Sequence, residues 1–422
     1  MITRRMSWTL VWVSACGLWL SPWLSAAGEG EYEGAKLLKA SDFLPQELLQ
    51  GAKYRFRNQV ETDGYLAHFE IDSDFGQFSA VGVSQAKARI AEIHAIDKLV
   101  ETSKSDLFAE GLEKSVSKPV DAVVNVVNHP VETVKQAPKT VGHLFGKIGS
   151  SIERAANRAS EQVSGKGKKS AQGGSELGVT MQKVSGFDKA KLQTAQQLGV
   201  DPYSDNPRLQ AEMDKVTWAF FAGGLPLRIG AAAVSAGATL AATNMAGVPA
   251  DMYAMTQSEI LLRDCQELES WQIKAKDSSK LLANSIWSTT RRHRLIGLLG
   301  QMPTVAGRGW VIQSANQCET ADQANFLTEA TAMLVRQHGT DGGAFTGLRL
   351  VGRMPAGVDS QGRIWVPAPV DFVTWTPEVA AFAQRAELKG QVKLLMHTGT
   401  HSDAAQSGFA AAGWTMVPQS RL

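Results

Sequence analysis

Val216-Thr217-Trp218-Ala219-Phe220-Phe221-Ala222-Gly223-Gly224-Leu225-Pro226-Leu227-Arg228 leads into a run, residues 229–250, that holds no charged residue. The run is built from Ala, Gly, Ser and Thr rather than Leu and Ile. It has the length of a bilayer-spanning helix, which needs roughly 20 residues, but each Ala contributes little to membrane transfer. Small residues recur four apart at Ala233, Gly237 and Ala241, a spacing that lets two helix backbones approach closely. Two readings follow: a tightly packed helix at the centre of a helical domain, or a helix that inserts into a membrane. The thin apolar content favours packing. Ala233-Val234-Ser235-Ala236-Gly237 also has the outline of a nucleophile elbow, yet Gly and Ala stand where that motif needs a β-branched strand. Close helix packing is again the expected role.

On both sides of this run the pattern is helical. Residues 188–198 read as a helix stopped by Gly199, and Asp201-Pro202-Tyr203-Ser204-Asp205-Asn206-Pro207 as a capped turn before a helix to Phe221. Downstream, an amphipathic helix is expected over about 251–273 through Met255, Ile260, Leu261, Leu268 and Trp271. More helix follows at 281–299 and 310–338, broken at Pro303 and Gly307-Arg308-Gly309. Arg291-Arg292-His293-Arg294 reads as a solvated helix face or end.

The N-terminus reads as an export signal. Arg4 and Arg5 precede an apolar stretch over 7–24, and Ser25-Ala26-Ala27 supplies small residues for cleavage before Gly28. Val13-Ser14-Ala15-Cys16 has the shape of a lipidation box, but the apolar run continues past Cys16, which favours ordinary cleavage. Removing residues 1–27 takes two arginines from a chain of formal charge +2. The neutral remainder gives no reason to expect nucleic acid. Cys265 and Cys318 are then the remaining cysteines, and an oxidising compartment makes them a candidate disulfide.

The expected fold is α+β: a small antiparallel sheet with a helix, a mainly helical middle, and a small C-terminal α/β subdomain. After an amphipathic opening at 35–49, Tyr54, Phe56 and Val60 alternate with Arg55, Arg57 and Gln59. An Asp63-Gly64 turn leads to a second alternating strand through Tyr65, Ala67, Phe69 and Ile71, a hairpin pattern. A third strand at 75–83 and a helix with Ile90, Ile93, Ile96 and Val100 on one stripe complete a unit over 28–112. Residues 113–163 hold Pro119, Pro130 and Pro138, each followed by valines, and read as short amphipathic helices broken at every Pro. Eight Lys or Arg against two acids over 135–169 suit an anionic membrane surface or an acidic partner. The contact residues are Lys135, Lys139, Phe145, Lys147, Ile148, Arg154 and Arg158. A flexible linker is expected at 164–178, a helical domain at 179–340 and the α/β subdomain at 341–422. There, strands at 348–351, 364–366, 370–375, 392–397 and 414–417 alternate with helices begun by Thr376 and Ser402.

Tyr203-Ser204-x-Asn206-Pro207, Gly307-Arg308, Thr398-Gly399-x-x-Ser402-x-x-Ala405 and Gly413-Trp414 resemble a family of exported bacterial proteins that has no assigned activity. The resemblance covers most of the mature chain and implies no catalytic residue.

The strand-to-helix loop His397-Thr398-Gly399-Thr400-His401-Ser402 is the candidate ligand loop, because such junctions bind ligands in α/β folds. An ordinary capped turn is the plainer account of it. No Walker loop, zinc spacing, dinucleotide fingerprint or paired-carboxylate constellation stands out, so no cofactor or metal is expected. The class expected is an exported, periplasmic or envelope-associated interaction protein, contacting membrane or partner through its basic segment and small-residue run. The alternative is an exported enzyme or toxin-like effector with its site at 397–403.

Overall fold

The computed structural model describes residues 32–116, 176–226, 248–340 and 345–419, and its fold is α+β. Six short strands form the first sheet: β1 (Leu37–Lys39), β2 (Gln50–Gly51), β3 (Tyr54–Phe56), β4 (Gln59–Thr62), β5 (Ala67–Ser73) and β6 (Gly76–Val81). Every pairing is antiparallel, with β5 central between β6 on one side and β3 and β4 on the other. The alternation expected along β5 is real: Ala67, Phe69 and Ile71 are buried while Glu70 and Asp72 face out, as a period of two requires. Helix α1 (Val83–Thr102) covers this sheet and buries Ile90, Ile93, Ile96 and Leu99. The amphipathic opening at 35–49 forms β1 and two 3-10 turns, Ala40–Asp42 and Gln46–Leu48. Pro45 interrupts helical hydrogen bonding there, and β1 gains ladder bonds to β4 at Leu38↔Val60.

Next come α2 (Asp106–Val116), α3 (Glu176–Leu198) and α4 (Pro207–Gly223). Helix α3 takes in the last residues of the expected linker and ends at Gly199, whose φ of 67° is costly for residues with a Cβ. The Asn206 side chain caps α4, accepting hydrogen bonds from the Arg208 and Leu209 amides with Pro207 in the first turn. Downstream lie α5 (Gln257–Ser270), α6 (Ala275–Ala283), α7 (Thr289–Gly300), α8 (Arg308–Ala315) and α9 (Ala321–His338). The single helix expected from 251 is a 3-10 turn, Ala250–Tyr253, followed by α5 behind a Thr256–Glu259 capping box.

The C-terminal sheet runs in the order β13 (Trp414–Pro418), β11 (Lys393–His397), β9 (Ile364–Ala368), β8 (Met354–Asp359), β7 (Phe345–Val351). The first three are parallel and the last two antiparallel. Helices α10 (Pro377–Ala383) and α11 (Asp403–Ala411) connect the parallel strands, and a short parallel pair, β10 (Phe372–Val373) with β12 (Thr400–His401), lies beside them. The sequence pattern conceals β8, because Pro355 and Gly357 break it. Gly357 stands there because the Phe345 ring occupies the space a Cβ would need.

One apolar core joins α7, α8 and α9 to this sheet, through residues such as Leu295, Ile312, Phe326, Val366 and Leu395. Tyr65 and Leu66, from the turn before β5, are buried in the same core. Asp371 completes that junction. Its amide donates to the Tyr65 carbonyl at 2.8 Å, and its carboxylate accepts from the Ala67 amide at 3.0 Å and the Val83 amide at 3.3 Å. The carboxylate therefore caps the start of α1, where exposed amides favour a negative charge.

The expected disulfide is absent: Cys265 and Cys318 are free thiols. Each sulfur faces an acceptor one turn away on its own chain segment, Cys265 toward Glu269 and Cys318 toward the Ser314 carbonyl. Among the described residues no helix is long and apolar enough to cross a membrane. Residues 1–27, the basic contact residues Lys135 to Arg158, and Ala233, Gly237 and Ala241 lie outside the described residues.

Asp371→Ala should strand two buried amides and cost about 3 kcal/mol of stability. Chemical denaturation of the full chain measures this, and an unchanged midpoint would contradict the capping role.

Candidate functional site

A cavity of about 340 Å³ opens where three parts of the fold meet. Its walls come from α1, from the turn at 199–205 with the start of α7, from one face of α9 between Asp322 and Arg336, and from Pro369, Asp371 and Thr398. The last three follow the carboxyl ends of the parallel strands β9 and β11, the edge at which α/β sheets place ligands.

Charged side chains dominate one wall. Glu92, 6% exposed on α1, accepts hydrogen bonds from Arg89 at 2.6 Å, from Asn206 at 2.8 Å and from the Ser204 hydroxyl. Asp205 bridges two guanidiniums, Arg89 and Arg291, each at 3.1 Å. Arg291 also donates to the Asn325 side chain and the Ile286 carbonyl, and Arg294 pairs with Glu329 on α9. Thr290 donates to Asp201. Burial pushes the Asp205 carboxyl upward, but Arg89 and Arg291 outweigh it and hold the group below the usual carboxylate range. Asp201 has no such cation, and burial pushes it up to about 6 despite hydrogen bonds from Thr290 and the Tyr203 amide. Asp322 is also raised by burial, with only distant relief from His68 and Arg291.

The cluster Arg291-Arg292-His293-Arg294 is therefore not a solvated face. Arg292 and His293 are each 6% exposed. Arg292 pairs at 2.8 Å with Asp264, which is fully buried, and His293 bridges Asp264 through Nδ1 and Asp251 through Nε2. Burial opposes the charged imidazole, yet the two carboxylates raise its pKa. The reason is geometric: α7 is packed between α5 and α9, so successive positions on it meet different acidic neighbours.

The loop His397 to Ser402 is largely spent on its own fold. The Thr398, Thr400 and Ser402 amides donate to the carbonyls of Ala368, Asp371 and Val373. His397 Nδ1 lies 2.9 Å from the Gly399 carbonyl, and burial lowers the His397 pKa. Gly399 packs directly on the backbone of Val370 and Asp371. The Ser402 hydroxyl caps α11 and donates to Glu33, and the ring of His401 lies 5.5 Å from that of His397. Of the six residues only Thr398 lines the cavity. The other quoted motifs have similar duties: Ser204 and Asn206 hold Glu92, and Arg308 lies over the Trp271 ring at 4.6 Å. Among the described residues no group of three His, Cys, Asp or Glu is placed to hold a metal. Arg89 and Glu92 went unread in the sequence, although two charges beside the isoleucine stripe of α1 were the available signal.

The chain matches no protein-family model, no curated protein and no solved structure.

Because Asp201 takes up its proton more readily in the fold than in the unfolded chain, it contributes stability that is present near pH 4 and lost as pH rises through about 6. Asp201→Asn keeps both hydrogen bonds and cannot ionise. Its melting temperature should exceed that of the unsubstituted chain at pH 7.5, by the equivalent of roughly 1–2 kcal/mol. The difference should vanish at about pH 4; a constant gap across the range would exclude this titration.

Proposed function

We propose that this chain is an exported cell-envelope protein that acts by contact, using the basic segment 135–169 and the adjoining small-residue run to hold an anionic membrane surface. One observation carries the reading. Helices α2 and α4 cross at two glycines: a Cβ on Gly111 would lie 2.7 Å from the Ala219 carbonyl oxygen, and one on Gly223 would lie 2.7 Å from the Gly111 Cα. Helix α2 ends at Val116 and α4 at Gly223, so each ends within about 8 Å of the crossing. Helix α3 passes the same place, with Gly186 against the Phe221 ring and Phe187 on Trp218 and Phe221.

The chain thus departs for residues 117–175 and for residues 227–247 from one end of a three-helix packet. The described ends of α2 and α4 that precede these two stretches lie close together, with Leu107 and Leu112 exposed on α2 nearby. Anionic lipid attracts basic side chains by roughly 1 kcal/mol each, and apolar neighbours add to this.

The test is cosedimentation of the exported, full-length mature chain with vesicles of phosphatidylcholine, with and without phosphatidylglycerol. Binding should require the anionic lipid and fall at high salt. Replacing Lys135, Lys139, Lys147, Arg154 and Arg158 together by Glu should weaken it about 100-fold or more. Equal binding to neutral vesicles, binding unaltered in the variant, or recovery only in complex with another envelope protein would each overturn the membrane reading.

A further inference from the structure

We propose that the cavity between α1, α7, α9 and the carboxyl ends of β9 and β11 is a binding site for a small aliphatic amine, its ammonium group held by the Asp322 carboxylate. The volume, about 340 Å³, lies within the roughly 300–1,000 Å³ typical of ligand pockets. Its position at the edge of the parallel strands is where such folds bind small molecules.

The charges of the wall select the ligand. Glu92, Asp201, Asp205, Asp322, Glu329 and Asp371 line it together with Lys87, Arg89, Arg291, Arg294 and Arg336. The cations are already committed: Arg89 to Glu92, Asp205 and the Ser79 carbonyl, Arg291 to Asp205, Asn325 and the Ile286 carbonyl, and Lys87 and Arg336 to partners of their own. Arg294 is held by Glu329. An anionic ligand would have to displace these pairs, with Asp205 occupying the place between two guanidiniums that an anion would take.

Asp322 differs from its neighbours. Glu92, Asp201 and Asp205 each accept a side-chain hydrogen bond. Asp322, in the first turn of α9, interacts with His68, Arg291 and Arg89 only across a distance. An incoming ammonium gives this half-buried carboxylate a charge-assisted hydrogen bond without displacing a side-chain donor. The rest of the wall suits methylenes: Leu66, Val81, Val200, Phe326, Met333 and Pro369 line it. A bare metal ion fits less well, since among the described residues no three ligating side chains converge.

Isothermal titration of the full-length mature chain in the absence of lipid tests this, with putrescine and spermidine as cationic probes, inorganic phosphate as the anionic probe and glucose as the neutral one. One of the amines should bind saturably, one-to-one. Asp322→Asn keeps the shape and removes the charge, and should weaken binding at least about 10-fold, the equivalent of 1.4 kcal/mol. Ala88→Phe fills the cavity from α1 without altering any charge and should weaken it similarly, with unchanged circular dichroism. If Ala88→Phe does not fold, Asp322→Asn decides alone. No saturable amine binding, equal binding by Asp322→Asn, or preference for phosphate or glucose would overturn the proposal. Vesicle binding is read separately, so either proposal can fail without the other.

Discussion

The carboxylate of Asp371 takes hydrogen bonds from Ala67 and Val83, residues 304 and 288 positions away in the chain. This point ties the two sheets together beside the Thr374–Gly64 and Phe372–Tyr65 backbone bonds. Ala67 begins β5, the central strand of the first sheet, and Val83 begins α1, which covers that sheet. Asp371 itself lies between β9 and β11, and the neighbouring loop closes on its carbonyl through the Thr400 amide. Buried and engaged by both amides, it fixes where α1 starts relative to the parallel strands. Because α1 and those strand ends are opposite walls of the cavity, the cavity exists only while this junction holds. Closing a loop of some 300 residues costs only slightly more entropy than closing a short one, so one well-placed carboxylate backed by the buried Tyr65 and Leu66 can hold it.

The pairs around Arg89, Glu92, Asp205 and Arg291 do a different kind of work. Taking charges out of water is expensive, and a buried ion pair seldom contributes much net stability over an apolar replacement. Its geometry, however, is demanding. Glu92 receives groups from α1, from the 201–206 turn and from the cap of α4, while Arg291 ties that turn to α7 and α9. Helices α1 and α4, packed in one apolar core, are thereby tied to α7 and α9, packed in another. The half-buried Asp322 stands outside this network and accepts from none of its side chains.

Local chemistry was legible in the sequence and distant chemistry was not. The hairpin at Asp63-Gly64, the Gly199 stop, and the caps at Asn206, Thr376 and Ser402 all depend on residues a few positions apart, and their side-chain types announce them. Strand β8 was hidden because Pro355 and Gly357 answer to a neighbour, Phe345, and not to a periodic pattern. The Arg291 to Arg294 cluster looked solvated because its acidic partners, Asp205, Asp251, Asp264 and Glu329, are spread over more than a hundred positions. The candidate loop at 397–402 was placed at the right edge of the right sheet, yet its polar groups turn inward. What faces the cavity comes mostly from α1, α7 and α9, which carry no motif. The cysteines illustrate the same limit, since an even count says nothing of where two thiols point.

Helix α4 gives the two proposed sites their relation. Its cap, Asn206, is bonded to Glu92 at the cavity, while its last residue, Gly223, touches α2 at Gly111. Seventeen residues at 1.5 Å each separate these points by about 25 Å. Substitutions that far apart, sharing no side-chain partner, normally act independently, so a change at Asp322 should leave the contact end unaltered in the absence of ligand. Coupling would require α4 to move as a rod, with Asn206 released from Glu92 at one end and the Gly111–Gly223 crossing shifted at the other. That crossing has no side chains to yield, because a displacement toward α2 drives backbone into backbone. The close approach of two glycines therefore makes the packet of α2 and α4 stiff at this end.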